Sequence, residues 1–562
     1  MESAQRTARC NSPIEWSYTS TGTYANPFRD VDLDVVLTDP QGAQWRIPAF
    51  WAGGSKWTAR FAPRLCGVHR FATLCSDAGN SGLQGHEGEL DVEPYAGDNP
   101  LLTHGSLRVD ASGRYMEHRD GTPFLWLADT WWGGISSRLR WPEGFRILAS
   151  DRSEKGFSVI QIVIGVFGNW PAERHYDPGG PTAAYERFNT DAGLAWEENG
   201  ESINPGYFDL ADLRVEALVS AGMVPCILSG WGNHIHWLGV EGMKRYWRYL
   251  IARYGAYPVV WCLAGEATKQ YHRSEDAEAD SELQRRAWTD VAAYVREADP
   301  YHHPLTIHPR LHGSSRTEIA DAGLLDMDML QTGHDDFTSI PSTIEAMATS
   351  VKREPRVPAI DAEVCYEGWS GVNGAAIQRF MFWACMLCGA AGHTYGAEGV
   401  WQFNTREIPF QGYADPPEGG PSFYGEVPWE DAYRLPGSKQ VGLGKKLLER
   451  YPWWRFEPHP DWVEPHWSAG DYLLPYAAGI PGEVRLYYFP WKTYRAWRQA
   501  GFLLAGLESG VRYRAAFFDP TNGKEYACGV VEGNAEGRKK CPYPPKRQDW
   551  VLILENRGSQ PV

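Results

Sequence analysis

The sequence predicts an α/β fold, a central (β/α)8 TIM barrel flanked by an N-terminal and a C-terminal antiparallel β-sandwich. The length of 562 residues suits roughly three or four domains. Short β segments separated by turn residues fill both ends, whereas apolar runs alternate with amphipathic helices in the middle. We expect the first sandwich over 1–108, the barrel over 109–452 and the second sandwich over 453–562.

The N-terminal part has no helical period and reads as short strands. The segment Val31–Leu37 is followed by the turn sequence Asp39–Gly42, a pattern typical of an antiparallel sandwich. Cys66 and Cys75 lie in this part, and in an oxidising compartment they could form a disulfide between neighbouring strands.

Eight apolar runs predict the strands of the barrel. No glycine-rich dinucleotide turn follows the first run, which favours a barrel over an open sheet. The predicted strands are Phe124–Ala128, Val159–Ile164, Val224–Leu228, Val259–Leu263, Leu305–His308, Met327–Gln331, Ala359–Glu363 and His393–Gly396. The predicted helices between them include Met243–Tyr254, Ser281–Ala298, Thr343–Lys352 and Ala375–Leu387. Proline- and glycine-rich segments at 178–181 and 416–421 predict long loops at the active-site face.

The C-terminal part returns to β segments after a predicted helix over Val441–Arg450. Glu483–Phe489 and Trp550–Leu554 have strand character, and Asp519–Gly523 is a good hairpin turn. These segments predict the second sandwich.

Charge and hydropathy exclude several classes of protein. The formal net charge is −16 and no Lys/Arg-rich block stands out, so nucleic acid is not expected as a partner. The mean hydropathy is −0.44 and no run reaches about eighteen apolar residues, which excludes a membrane-spanning helix. The first residues lack the apolar core of a secretory signal, so we expect a cytoplasmic protein, or a secreted or periplasmic one whose leader has been removed. A homo-oligomer is left open.

Two carboxylates end apolar strand runs, at positions suited to catalysis. Glu266 follows the fourth run, and Glu363 ends the seventh. Side chains alternate along a strand, so Asp361 and Glu363 are expected to point the same way, with Glu367 in the loop beyond. A lone carboxylate is more often a cap or a surface charge, but two such runs three βα units apart favour function. Retaining glycoside hydrolysis needs this pair, an acid/base and a nucleophile about 5 Å apart.

Polar and aromatic residues at the ends of the other strands are expected to bind substrate. The abundance of 26 Trp, 28 Tyr and 21 Phe supports a sugar ligand, because flat aromatic rings pack against sugar faces. The candidates are Asp129, Trp131, Trp132, Gln161, Trp231, His308, Gln331, His334, Tyr366, Glu367, Tyr395 and Trp401.

Metal, redox and serine-hydrolase chemistry is disfavoured. His234 and His236 lack the helical HExxH context, and the one CxxC motif, Cys385 with Cys388, has no second pair. No GxSxG motif follows a strand. We therefore expect no metal and no organic cofactor.

Several motifs carry a family resemblance. Gly121–Trp132 and the motifs WCLAGE at 261–266, DAEVCYEG at 361–368 and GHTYGAEGVWQF at 392–403 resemble the apiosidase-like barrel of glycoside hydrolase family 140, of clan A. The segments 24–28 and 48–54 resemble the β-sandwich that precedes such barrels, and 517–520 with 549–552 resemble the collagen-binding-type sandwich that follows them.

This resemblance implies that Glu266 is the acid/base and Glu363 the nucleophile. It also implies an aspartate at the strand-four position, where this chain has the longer Glu266. The expected function is a retaining glycosidase for a plant or microbial polysaccharide side chain or an oligosaccharide, neutral or weakly charged. Two alternatives remain, a barrel glycosidase of β-galactosidase or glucuronidase type and a non-catalytic carbohydrate-binding protein.

Overall fold

The protein is described by a computed structural model over residues 5–165, 188–197, 200–270, 275–407 and 427–556. The loops expected at 178–181 and 416–421 lie outside the described residues. Within these ranges, no helix has both the length and the apolar character needed to cross a bilayer.

The N-terminal residues form a curled sheet of seven strands. The strand Gln44–Trp51 pairs with Leu33–Thr38 and then, through its last two residues, with Lys56–Phe61, so the sheet folds over its own apolar core. In spatial order the strands are Gln5–Arg9, Glu87–Glu93, Gly67–Cys75, Leu33–Thr38, Gln44–Trp51, Lys56–Phe61 and Ile14–Thr19. Two short helices, Pro27–Asp30 and Pro100–Thr103, accompany this sheet.

The cysteines of this sheet differ from the expected arrangement. Cys66 lies 2.8 Å from Cys10, sulfur to sulfur, and Cys75 is buried elsewhere in the sheet. The fold does not bring Cys66 and Cys75 together, because Cys66 precedes the strand Gly67–Cys75 whereas Cys75 is the last residue of that strand.

A second sheet carries eight parallel strands, here called the first to eighth sheet strands. A small antiparallel sheet of Leu107–Val109, Met116–His118 and Pro123–Phe124 leads into it. The first strand pairs with both the second and the eighth, so the sheet curls around. In chain order the strands are Trp126–Trp131, Val159–Val163, Val224–Leu228, Val260–Cys262, Leu305–Thr306, Asp328–Gly333, Ala359–Val364 and Gly392–Tyr395.

The fifth and sixth sheet strands are bridged by a side chain. The Ser315 hydroxyl donates to the Ile307 carbonyl over 2.5 Å and accepts from the Met329 N–H over 2.9 Å. A two-residue strand, Gly313–Ser314, adds to the sixth strand in antiparallel fashion. The hydroxyl thus takes the place of a direct backbone ladder at this point.

Helices cover the outside of this sheet, which explains why its strands are near-continuous apolar runs. All residues of the eight strands are buried. The longer helices are Glu143–Lys155, Pro205–Ser220, Ile235–Tyr254, Ala277–Ala298, Ile340–Ser350, Ala375–Leu387 and Pro436–Leu448. Shorter ones are Ser315–Glu318 and Trp429–Ala432.

The C-terminal residues form a six-stranded and a three-stranded sheet with one apolar core between them. The larger sheet contains, in spatial order, Glu457–Pro458, Tyr476–Ile480, Val484–Phe489, Trp550–Glu555, Arg512–Phe518 and Glu525–Glu532. The smaller one contains Val463–Glu464, Leu503–Leu504 and Lys539–Lys540, and the helix Tyr494–Gln499 lies beside it.

Buried charges and rings fix the N-terminal sheet to the helices of the central sheet. Asp212 accepts hydrogen bonds from Arg60 and Arg253, each over 2.8 Å, and both guanidinium groups are buried. Phe28 packs edge-on against Trp196 and Tyr249, each at 5.8 Å between ring centroids. The N-terminal sheet and the helices around the central sheet are therefore packed directly against each other.

Candidate active site

A cleft of about 250 Å³ opens at the carboxyl ends of the central sheet strands. Both carboxylates that the sequence singled out line it, together with seven of the other candidate residues. The lining residues are Trp132, Leu228, Trp231, Gly265, Glu266, Lys269, His308, Leu311, Gln331, His334, Glu363, Tyr366, Trp369 and Trp401.

A β-bulge directs Glu363 into this cleft. Leu330 pairs with Asp361 and Gln331 pairs with Glu363, so Ala362 is an extra residue in the seventh strand. Bulges of this kind change the direction of the side chains that follow them. Asp361 instead faces the helix layer, where Cys385 donates to it over 3.7 Å. The expectation that Asp361 and Glu363 point the same way is therefore wrong.

Three side chains surround the Glu363 carboxylate. The Gln331 amide donates to Oε1 over 3.0 Å, and His334 Nε2 lies 2.9 Å from the same oxygen. The Tyr366 backbone N–H faces His334 Nδ1 at 3.4 Å, which leaves Nε2 as the nitrogen that carries the proton. His308 Nε2 lies 3.3 Å from Oε2.

These neighbours control the charge of Glu363. Burial alone would raise the pKa of this carboxyl group, but the hydrogen bond from His334 and the electrostatic influence of the His308 and His334 rings outweigh it and lower the pKa. Glu363 is therefore held as a carboxylate in a buried position, the state in which a carboxyl group can act as a nucleophile.

Glu266 also lines the cleft and lies on a constrained turn. Its φ of 45° lies in the left-handed region, which costs a non-glycine residue about 1–3 kcal/mol and persists only where the surroundings enforce it. Backbone bonds from Gly265 to Gly230 and from Ala267 to His308 hold this turn. Its Oε2 accepts from Lys269 Nζ over 2.6 Å.

Aromatic rings form one wall of the cleft. Trp369 stacks on His334 at 4.6 Å and on Trp401 at 6.0 Å between ring centroids. Trp132 meets the His308 ring edge-on at 5.5 Å. Flat apolar faces beside charged oxygens and nitrogens are the surface that a sugar ring with its hydroxyl groups requires.

Five candidate residues lie outside the cleft lining and form hydrogen bonds with other residues of the protein. Asp129 is completely buried, accepting from Arg152 over 2.6 Å and from the Trp131 indole over 2.7 Å. Gln161 donates to the Ala362 carbonyl inside the curled sheet. The remaining pair is Glu367 and Tyr395, joined by a hydrogen bond of 2.6 Å. Because these hydrogen bonds are made to other protein groups and none of the five residues lines the cleft, these residues support the cleft from behind.

Sequence reasoning missed five of the fourteen lining residues, namely Leu228, Gly265, Lys269, Leu311 and Trp369, of which Lys269 brings a charge and Trp369 a flat ring. Trp369 comes two residues after the candidate Glu367, and Lys269 three residues after Glu266, so nearness to a candidate carboxylate was the available signal. In the described part of the chain, no group of three or more His, Cys, Asp or Glu side chains is arranged to hold a metal ion.

The fold agrees with that of solved glycoside hydrolases. One such enzyme superposes with a TM-score of 0.62 at 21% identity, covering 83% of this chain and all of its own. A family 5 enzyme from Bacteroides vulgatus gives 0.63 at 20% identity, covering 82% of this chain and 95% of its own. A further Bacteroides vulgatus protein assigned to the glycoside hydrolases gives 0.68 at 17%, covering 98% of this chain and 100% of its own. No curated protein sequence matches the chain.

The fold is therefore that of these glycoside hydrolases, with a sheet of the TIM-barrel kind. The description "Apiosidase-like, catalytic domain" matches residues 110–455, more than half of the chain, and a domain of unknown function, DUF5060, matches residues 7–76. The chain belongs to the apiosidase-like family.

Proposed function

We propose that the protein is a retaining glycosidase that acts on a polysaccharide side chain or an oligosaccharide. In this proposal the central sheet is a (β/α)8 barrel over 109–452, flanked by β-sandwiches over 1–108 and 453–562. The observation that supports it most is that Glu363, held ionised by His334 and His308, lines the same cleft as Glu266.

The reaction has two steps. In the first, a Glu363 oxygen attacks the anomeric carbon while the bond to the leaving oxygen breaks and that oxygen takes the proton from Glu266. In the second, Glu266 removes a proton from water, the water oxygen attacks the anomeric carbon, and the bond to Glu363 breaks. The product keeps the configuration of the substrate, and both carboxyl groups return to their starting states.

The sugar is expected to lie between the aromatic residues of the cleft. Trp132, Trp231 and Trp401 provide flat faces, and the His308 and His334 rings orient the nucleophile from the side. Family membership favours an apiosidase-like substrate. A barrel glycosidase of β-galactosidase or glucuronidase type is the second candidate, favoured by Glu266 standing where the family resemblance implies aspartate. Screening aryl glycosides and furanosyl oligosaccharides separates the two.

Replacing the proposed nucleophile gives the first test. We expect Glu363→Gln to abolish turnover while the thermal unfolding midpoint stays near that of the native protein, because the amide keeps the shape but cannot attack. Asp361→Asn is the matched control on the same strand, outside the cleft, and should retain activity. Near-normal turnover by Glu363→Gln would contradict the assignment of Glu363 as the nucleophile.

The acid/base role is tested by rescue. For Glu266→Ala we expect slow hydrolysis of natural substrate but rescue of an activated aryl glycoside by azide. The activated leaving group needs no proton, and azide attacks the glycosyl intermediate without a base. Full activity on natural substrate without any rescue would show that Glu266 has another role.

A further inference from the structure

Two segments of the C-terminal part that are far apart in sequence form one basic surface. Residues 491–501 and 538–548 contain eight Lys or Arg residues and no Asp or Glu. All eight side chains are exposed, and we call them the basic patch: Lys492, Arg495, Arg498, Arg538, Lys539, Lys540, Lys546 and Arg547.

Direct contacts hold the two segments together. The strand Lys539–Lys540 pairs with Leu503–Leu504, immediately after the first segment. Between the segments, Trp497 lies 5.9 Å from Tyr543, ring to ring, and the Arg547 guanidinium lies 5.6 Å from the Tyr494 ring. No cationic block stands out along the sequence, but folding creates one.

Most of this positive charge is not neutralised by the protein. Arg538 pairs with Glu464 at 3.1 Å, and Lys546 pairs with Asp519 at 3.3 Å. Over the described ranges, none of the other six cations of the basic patch forms a salt bridge. In a chain whose formal net charge is −16, such a cluster gives one face the opposite sign and attracts anions to it.

An exposed ring accompanies the cations. Tyr543 is 60% exposed, and the Lys540 ammonium lies 5.6 Å from its ring. A ring can accept the apolar face of a sugar, while neighbouring ammonium and guanidinium groups bind carboxylates on the same sugar chain. This combination fits a sugar polymer better than a small anion.

We propose that the basic patch binds an anionic polysaccharide, one whose sugar units carry carboxylate groups. A nucleic acid carries one charge about every 1.7 Å, and the overall charge of −16 opposes so dense a polyanion. A carboxylated glycan has at most about one charge per sugar unit, and the chain belongs to a carbohydrate-active family. The proposal concerns binding and does not depend on the reaction in the cleft.

An aromatic contact connects the basic patch to the cleft side of the central sheet. Trp491, next to Lys492, lies 4.7 Å from Phe337, ring to ring. Phe337 is 40% exposed and follows the cleft residue His334 by three positions. A polymer held on the basic patch would therefore be kept near the cleft.

The test is affinity electrophoresis of the full chain in gels that contain carboxymethylcellulose, with hydroxyethylcellulose as the neutral polymer of the same backbone. We expect retardation only by carboxymethylcellulose, weakened by added salt. The triple variant Lys539→Ala, Lys540→Ala and Arg547→Ala should raise the dissociation constant at least tenfold. Its hydrolysis of a small aryl glycoside should not change, which separates binding from the proposed reaction.

The matched control removes the same charge elsewhere. Lys352, Lys439 and Lys524 are exposed and lie outside the basic patch, and their joint replacement by alanine should leave the dissociation constant within about twofold. The proposal is overturned if both triple variants bind carboxymethylcellulose alike or if hydroxyethylcellulose retards the protein equally. It is also overturned if sheared duplex DNA, matched in charge, binds more tightly than carboxymethylcellulose.

Discussion

Replacement of His334 is the most informative test of how Glu363 is kept ionised. His334→Ala removes the 2.9 Å bond to Oε1 and the electrostatic influence of one of the two imidazole rings beside the carboxylate. A hydrogen bond to a charged group contributes about 1.5–3 kcal/mol, and at about 1.4 kcal/mol per tenfold this predicts a roughly 10- to 150-fold loss in kcat/KM. Because the pKa of Glu363 is lowered mainly by this contact, the acidic limb of the rate profile should move to higher pH.

The assay is kcat/KM against pH for the aryl glycoside that the screen identifies as substrate. His334→Gln is the matched control, since its amide can still donate a hydrogen bond to the carboxylate but lacks the imidazole ring, and its acidic limb should lie between those of the native protein and His334→Ala. Activity requires the carboxylate form, so the rate falls as pH drops through the pKa of Glu363. If the limbs of the native protein and His334→Ala coincide, the electrostatic explanation fails.

Three further predictions concern stability. Burial raises the pKa of Asp361 to about 8, so the stability it contributes is fully present below its ordinary pKa of 3.8 and is lost as pH rises towards 8. The thermal midpoint should fall from pH 5 to 8, less steeply in Asp361→Asn; parallel slopes would contradict this. Arg152→Met leaves the buried carboxylate of Asp129 without its cation and should lower the free energy of unfolding, measured by chemical denaturation, by about 3–5 kcal/mol. The exposed Arg146→Met should lower it by under about 1 kcal/mol. Equal losses in the two variants would refute the prediction. Phe28→Ala should speed hydrogen exchange around Trp196, whereas unchanged exchange would show that the contact between these two rings does not stabilise the segment around Trp196.

The strands could be predicted because parallel strands covered on both faces are apolar along their whole length. Val224–Leu228 is predicted and observed with the same bounds, and the helix Ala375–Leu387 likewise. The fifth strand is shorter than expected, ending at Thr306, because side-chain bonds of Ser315 replace the ladder beyond it. Local pattern therefore locates strands well and their ends less well.

The candidate site was less accessible to sequence reasoning, since side-chain direction depends on partners elsewhere in the chain. Asp129 follows the first predicted strand, as a sugar-binding carboxylate would, but it lies inside the observed strand, where Arg152 in the next helix neutralises it. The direction of Glu363 depends on a bulge that only the register with the sixth strand reveals. The basic patch needs two segments that meet only after folding.

The contact between the N-terminal sheet and the helices of the central sheet limits where the chain can be truncated. The apiosidase-like match begins at residue 110, yet a chain started there would lose Arg60 and expose the buried Arg253 and Asp212, together with the rings that Phe28 covers. Trp196, one of those rings, donates to the Gly165 carbonyl just beyond the second sheet strand. The segment shared among relatives is thus smaller than the segment that folds as a unit, and a shortened catalytic fragment would have to be redesigned along this contact before it could be used.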